Sequence, residues 1–363
     1  ATAWAVVGAA LAAWGCGGTR PAAGPAPAVA DGRAAVEAGA AGPDSLAGLA
    51  REPAAADQLA DVLPSDTARV PVNEADVHAE IAQLFGPEGV SEVEAAEAEW
   101  DIPIEVNEQV ARWLEYFQTD GRENFELWLA RSGRYEAFIR EEFRKAGLPE
   151  DLVYLSLIES GFSPRAYSRA HAVGLWQFIR STARLYDLEI DYWVDERRDP
   201  VASTRAAIRH LRDLYDRFGS WYLAAAAYNA GAARVERSIR HTGTDDFWAI
   251  AETRHLRRET RNYVPKLIAA ALIAKQPAKY GFVDIAYFEP MAFEEVEVPD
   301  ATSLDVVARA AGVTLAEVQE LNPHILRGVT PPDRPYVVRI PPGSRDTFLV
   351  RYAQIPPEER VSW

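Results

Sequence analysis

GLPEDLVYLSLIESG, residues 147–161, is the stretch on which the fold turns. Gly147 stops the run before it. Pro149-Glu150-Asp151 then opens a helix in the preferred way, with proline in the first turn and acids at the positive end of the dipole. The body, residues 152–159, is apolar nearly all round, which predicts a helix buried on every side and a helical domain around it. One carboxyl, Glu159, stands at its C-terminal end, before Ser160-Gly161. Apolar neighbours desolvate its anion and the negative end of the helix opposes it, so both effects raise its pKa. A carboxyl kept protonated near neutral pH suits general acid work. The plain alternative is a helix-end glutamate turned to solvent at Gly161.

Upstream, Val106, Val110, Trp113, Leu114 and Phe117 recur at helical spacing. Phe125, Trp128 and Leu129 form a second short stripe, and Tyr135, Phe138, Ile139 and Phe143 a third. Downstream, Asp199-Pro200 opens a helix whose apolar face is Ala206, Leu211, Leu214, Tyr215 and Phe218. An Ala-rich helix follows at 221–228, and a long one at 263–274 with Pro265 near its start. Strand-like runs are scarce before residue 283. From there the order is a β run at 294–298, helices at 303–311 and 315–321, and a β run at 336–340. The predicted fold class is mainly α, with a small C-terminal β-α-α-β module.

The whole chain has 363 residues, with 38 basic and 54 acidic groups and a net charge of −16. Residues 1–100 carry 4 basic and 15 acidic groups, whereas 147–282 carry 20 basic and 16 acidic. The acidity belongs to the flanks, and the predicted helical core is mildly basic. A net acidic chain is a poor match to a phosphate backbone, so no nucleic-acid partner is expected. The one cysteine excludes an intrachain disulfide and a thiolate zinc site, and the six histidines show no metal-ligand spacing, so no metal or cofactor is expected.

Residues 1–16, ATAWAVVGAALAAWGC, begin with fifteen uncharged residues. That run is too short to span a bilayer and fits the core of an export signal lacking its basic front. Cys16 closes it behind Leu11-Ala12-Ala13-Trp14-Gly15, which resembles a bacterial lipoprotein lipobox. The resemblance implies acylation of Cys16, a membrane anchor, and an outer-membrane lipoprotein facing the periplasm. The plain alternative is a secretory signal with an incidental cysteine. Residues 17–99 read as an acidic tether, rich in Ala and Pro up to residue 72.

Two further motifs stand out in the helical region. Gly174-Leu175-Trp176-Gln177-Phe178 sets one amide among large rings, a mix suited to a sugar site or to an ordinary core. Ala227-Tyr228-Asn229-Ala230-Gly231 ends the Ala-rich helix and reads equally as a helix cap. In order, Glu159-Ser160, GLWQF, AYNAG and Tyr263 within ETRNYVPK resemble the soluble lytic transglycosylase family, a lysozyme-like helical fold. The resemblance covers 147–282 as the catalytic core. WDIPIEVN (100–107) and the C-terminal module look like the membrane-bound transglycosylase D branch, which extends the region to 100–282.

The resemblance implies roles at the matched positions. Glu159 matches the catalytic acid and base, and Ser160 its neighbour, a substrate-binding position in the cleft. Trp176, Gln177 and Phe178 match a strip lining the glycan cleft. Ser168 matches a substrate contact, Tyr228 and Asn229 a site motif holding the reacting sugar, and Tyr263 a tyrosine bonded to the catalytic carboxyl. His171 stands where the family has Gly. Residues 294–342 resemble a LysM domain through AGVTLAEVQELNP (311–323) and VVRIP (337–341), which implies binding to peptidoglycan glycan strands. Ala301-Thr302-Ser303-Leu304 replaces the opening usual there.

No Asp or Glu occurs at 160–186 or 217–235. Without a second carboxylate, a glycosidase can use the substrate's own 2-acetamido group. The transglycosylase resemblance implies cleavage of the MurNAc-GlcNAc β-1,4 bond with 1,6-anhydro ring closure, and the missing second carboxylate agrees with it. The alternatives are a hydrolytic muramidase of the same fold and a catalytically silent wall-binding lipoprotein.

Overall fold

A buried run such as 152–159 needs walls on every side, and the long helices supply them. The computed structural model describes the backbone of 52–53 and residues 100–361, which all belong to one compact unit, Gly48–Trp363. The export signal, Cys16 and the rest of the tether lie outside the described residues.

Asn107 caps α1 (Glu108–Gln118), its Oδ1 accepting from the Val110 amide, and Val110, Trp113, Leu114 and Phe117 are buried. The next two stripes differ from expectation. They are one helix, α2 (Arg122–Ala146), which runs unbroken through Arg-Ser-Gly-Arg at 131–134. Gly133 is there for packing. A Cβ on it would lie 2.6 Å from the Phe288 carbonyl, where the 283–293 segment crosses and the Phe288 amide donates to Ala130.

The Pro149 opening yields a 3₁₀ turn (Glu150–Val153) before α3 (Tyr154–Ser160), whose seven residues are all buried. Leu155, Leu157 and Ile158 each contribute about 1.5–3 kcal/mol by burial. After α3 come a short strand (Ala166–Tyr167), which pairs parallel with Glu52–Pro53, and α4 (Arg180–Leu185). Asp199 caps α5 (Pro200–Phe218) through the Val201 and Ala202 amides, and Ser220 caps α6 (Trp221–Ala230). Helices α7 (Ala232–Thr242) and α8 (Phe247–Ala251) lead to α9 (Arg258–Lys275). Helix α9 starts earlier than the pattern predicted, so Pro265 lies inside it.

The C-terminal module pairs Glu294–Val298 antiparallel with Tyr336–Ile340, Val296 opposite Val338. Helices α10 (Leu304–Ala311) and α11 (Leu315–Leu321) lie between them in sequence, α11 with a Thr314–Glu317 capping box. A further helix, α12 (Arg345–Tyr352), adds Phe348 and Tyr352 to the same core, so that core reaches beyond residue 342. Among the described residues the molecule is mainly α, with this small antiparallel sheet near the C-terminus.

Candidate active site

Helix α3 ends where Gly161 adopts the left-handed conformation, φ 57°. That turn leaves Glu159 at the helix end, 7% exposed. Across from it Tyr263 of α9, itself buried, donates its hydroxyl to Glu159 Oε1 at 2.6 Å. Lys266, one turn further along α9, is also buried, its Nζ 5.5 Å from the Tyr263 ring centre.

Burial dominates the balance and pushes the Glu159 carboxyl up to about 7. The Tyr263 hydroxyl and the Lys266 ammonium favour the anion and restrain the rise, while the Glu259 carboxylate adds to it. Burial lowers Lys266 and raises the Tyr228 and Tyr263 hydroxyls well above their usual range. Glu159 therefore changes protonation near neutrality, with a fixed donor on one oxygen.

Asn229 at the end of α6 is held at both ends of its amide. Its Nδ2 donates to Glu259 Oε1 at 3.0 Å and its Oδ1 accepts from Thr260 Oγ1 at 2.8 Å. The Tyr228 hydroxyl donates to the Trp176 carbonyl at 2.6 Å, joining α6 to the 174–178 segment. Glu259 is the group that sequence reasoning missed. The local count of carboxylates around AYNAG could not see it, because folding brings it in from α9. Its place in ETRNYVPK was the available signal. The site thus holds a second carboxylate, engaged with Asn229.

The 168–178 segment forms the neighbouring wall. Ser168 is buried and closes the turn, its Oγ accepting from the Ala172 amide at 3.0 Å. His171 takes φ 60°, and its ring pairs with the Tyr167 hydroxyl. Gln177 also has positive φ, 47°. Its Nε2 donates to the Gly174 carbonyl at 2.8 Å, and its enclosed Oε1 has no protein partner.

Three of the expected cleft residues face inward instead. The Ser160 hydroxyl donates to the Leu175 carbonyl at 2.8 Å, tying α3 to this wall. The fully buried Trp176 gives its indole N–H to Thr204 of α5 at 2.9 Å. Phe178 packs among Tyr186, His210 and Tyr228. An indole enclosed on both faces cannot stack on a sugar, so Ser160, Trp176 and Phe178 support the wall from behind.

This arrangement, a buried carboxyl of raised pKa at a helix end beside a tyrosine, overlaps a recognised domain, which takes in Glu159 and ends before Tyr263. Residues 136–251 match the transglycosylase SLT domain, and residues 292–356 match the LysM-like domain of lytic transglycosylase MltD. The chain carries both domains. It is 34% identical over 221 residues to the membrane-bound lytic murein transglycosylase D of Escherichia coli strain K12, a match covering 60% of this chain and 48% of that protein. It is 29% identical over 192 residues to the peptidoglycan transglycosylase gp16 of Escherichia phage T7, covering 47% of this chain and 14% of that protein. The crystal structure of the 70 kDa soluble lytic transglycosylase of Escherichia coli aligns with a TM-score of 0.38 at 19% identity, over 64% of this chain and 47% of that one. The chain spans about half the length of the Escherichia coli relatives it matches.

Proposed function

We propose that this protein is a peptidoglycan lytic transglycosylase that uses Glu159 first as acid and then as base. The observation that carries the reading is the buried Glu159 carboxyl, within the residues that match the SLT domain, raised to about 7 and bonded to Tyr263. Protonated Glu159 gives its proton to the glycosidic oxygen between N-acetylmuramic acid and N-acetylglucosamine, and that C–O bond breaks. The 2-acetamido oxygen of the same muramyl residue closes on C1 and takes up the developing positive charge. Glu159, now the anion held by Tyr263, removes the C6 hydroxyl proton. O6 then attacks C1 and expels the acetamido oxygen, leaving a 1,6-anhydro end and a free 4-hydroxyl. No water is consumed.

In this scheme Asn229 reads the reacting sugar, with Glu259 and Thr260 fixing its amide. Gln177 and Ser168 border the glycan, and rotation of the Gln177 amide lets its unpaired oxygen accept a substrate N–H or O–H. The biological setting is cell-wall remodelling in the bacterial envelope, with the membrane reached through a lipid on Cys16 and the LysM-like module adding affinity for glycan strands. No described helix is long and apolar enough to cross a membrane. Because Glu259 supplies a second carboxylate near the site, hydrolysis by the same fold is the competing reading. Mass analysis of fragments from digested sacculi decides between them. Anhydro ends are expected; reducing ends would replace this chemistry with hydrolysis, and intact sacculi would leave only binding.

The pH dependence follows from the acid role. Glu159 must start protonated, so turnover should fall as pH rises through about 7. Tyr263→Phe and Lys266→Met each remove a group that favours the anion, so both should move this limb to higher pH. Glu259→Gln removes a like charge and should move it lower. Rates of sacculus clearing across pH check all three; a limb that stays fixed would detach Glu159 from the rate.

A further inference from the structure

The C-terminal module reads from sequence as a separate binding domain, yet in the structure it is fastened to residues 193–199 of the helical domain. Arg339, on the second strand of its sheet, makes a two-pronged contact with Asp199. Nη1 lies 2.9 Å from Oδ1 and Nη2 3.0 Å from Oδ2, and both residues are buried. Asp199 is the cap of α5, so its carboxylate already accepts the Val201 and Ala202 amides. Backbone bonds join the same two surfaces. The Asp195 amide donates to the His324 carbonyl at 2.9 Å, and the Leu326 amide to the Trp193 carbonyl at 2.8 Å. At the margins, Arg334 pairs with Glu189, and Arg134 of α2 with Glu320 of α11.

The far side of the 195–199 segment meets the strip that carries Gln177. Arg197, paired with Asp195, donates to the carbonyls of Phe178 at 3.1 Å and His171 at 3.0 Å. Its own carbonyl occupies the place where a Cβ on Gly174 would be, 1.8 Å away. The strip that carries Gln177 therefore rests on 195–199, and 195–199 is clamped by the module. Glu159 and Tyr263 belong to α3 and α9; α3 meets this chain of contacts through the Ser156 and Ser160 hydroxyls on the Leu175 carbonyl, while the Glu159 carboxyl bonds to Tyr263.

We infer that the LysM-like module is a fixed buttress of the cleft, and that Arg339 is a positioning residue acting through Asp199 and Arg197 on residues 171–178. The kinetic consequence rests on the proposed transglycosylase reading; the structural consequence does not. Loosening the strip weakens substrate binding without altering the acid, so KM should rise while kcat and the pH limb stay in place.

The test is Arg339→Ala in the full chain, compared with Arg339→Lys, which keeps the charge but not the fork. Hydrogen exchange should quicken about tenfold or more at the Val173, Gly174 and Gln177 amides in the alanine variant, and less in the lysine variant. These amides are bonded to Phe178, to Ala166 of the neighbouring short strand, and to Gly174 respectively. On sacculi, KM should rise about fivefold with kcat within about twofold. If Arg339→Ala does not fold, the lysine variant carries the same comparison against the wild type. Exchange that quickens only within 292–356, with the strip unchanged, overturns the inference even if the protein proves inactive on sacculi. Equal losses of kcat and unchanged KM would also overturn it.

Discussion

Glu159→Gln is expected to lower the rate of sacculus cleavage by about a thousandfold or more, because it removes acid and base in one change. The substitution keeps shape and volume, and the amide oxygen can still accept the Tyr263 hydroxyl, so the site should not collapse. Stability supplies the control. The folded carboxyl sits at about 7, above its ordinary 4.5, so between those values the folded chain binds a proton that the unfolded chain has released. Folded stability contributed by the neutral acid is therefore intact below about 4.5 and is lost as pH climbs through 7. The loss above 7 is about 3 kcal/mol. A glutamine escapes it. The variant should be more stable than the wild type at pH 8 and comparable at pH 4.5, measured by urea unfolding. Retention of more than about a tenth of the activity would remove Glu159 from its role.

Glu159 was legible because its burial is a local property: eight consecutive residues too apolar for a surface helix, ending at a glycine. The module was legible for the same reason. Residues 294–298, 315–321 and 336–340 have their observed bounds because β-branched alternation, Thr314 and Asn322 mark them in sequence. What escaped depends on contacts between distant segments. Arg131–Arg134 resembles a helix break until the 283–293 chain is seen crossing Gly133. A tryptophan in GLWQF suits a core and a sugar platform equally, and only the Thr204 hydroxyl, supplied by α5, shows which way it turns. Asp199 announces itself as a helix cap, but nothing near it in sequence names Arg339, 140 residues away, as its partner.

Gly174→Ala is the substitution expected to cost the most stability, because two penalties coincide there. The residue has φ 84°, a conformation that costs an L side chain about 1–2 kcal/mol. Its new methyl would also meet the Arg197 carbonyl at 1.8 Å and the carbonyl carbon at 2.7 Å. A backbone group cannot rotate away as a side chain could, and Arg197 is itself held by Asp195 and the module. Overpacking adds about 1–3 kcal/mol, giving about 2–5 kcal/mol in all. Gly231→Ala separates the two penalties. Its φ is also 84°, with ψ 137°, outside the left-handed helical region, but no atom lies within 4 Å of the added carbon, so only a conformational cost of about 1–3 kcal/mol should appear. Urea unfolding of both variants gives the difference directly. Equal losses would mean that 195–199 yields freely to the methyl, and the wall on which Gln177 rests would then be softer than its contacts require.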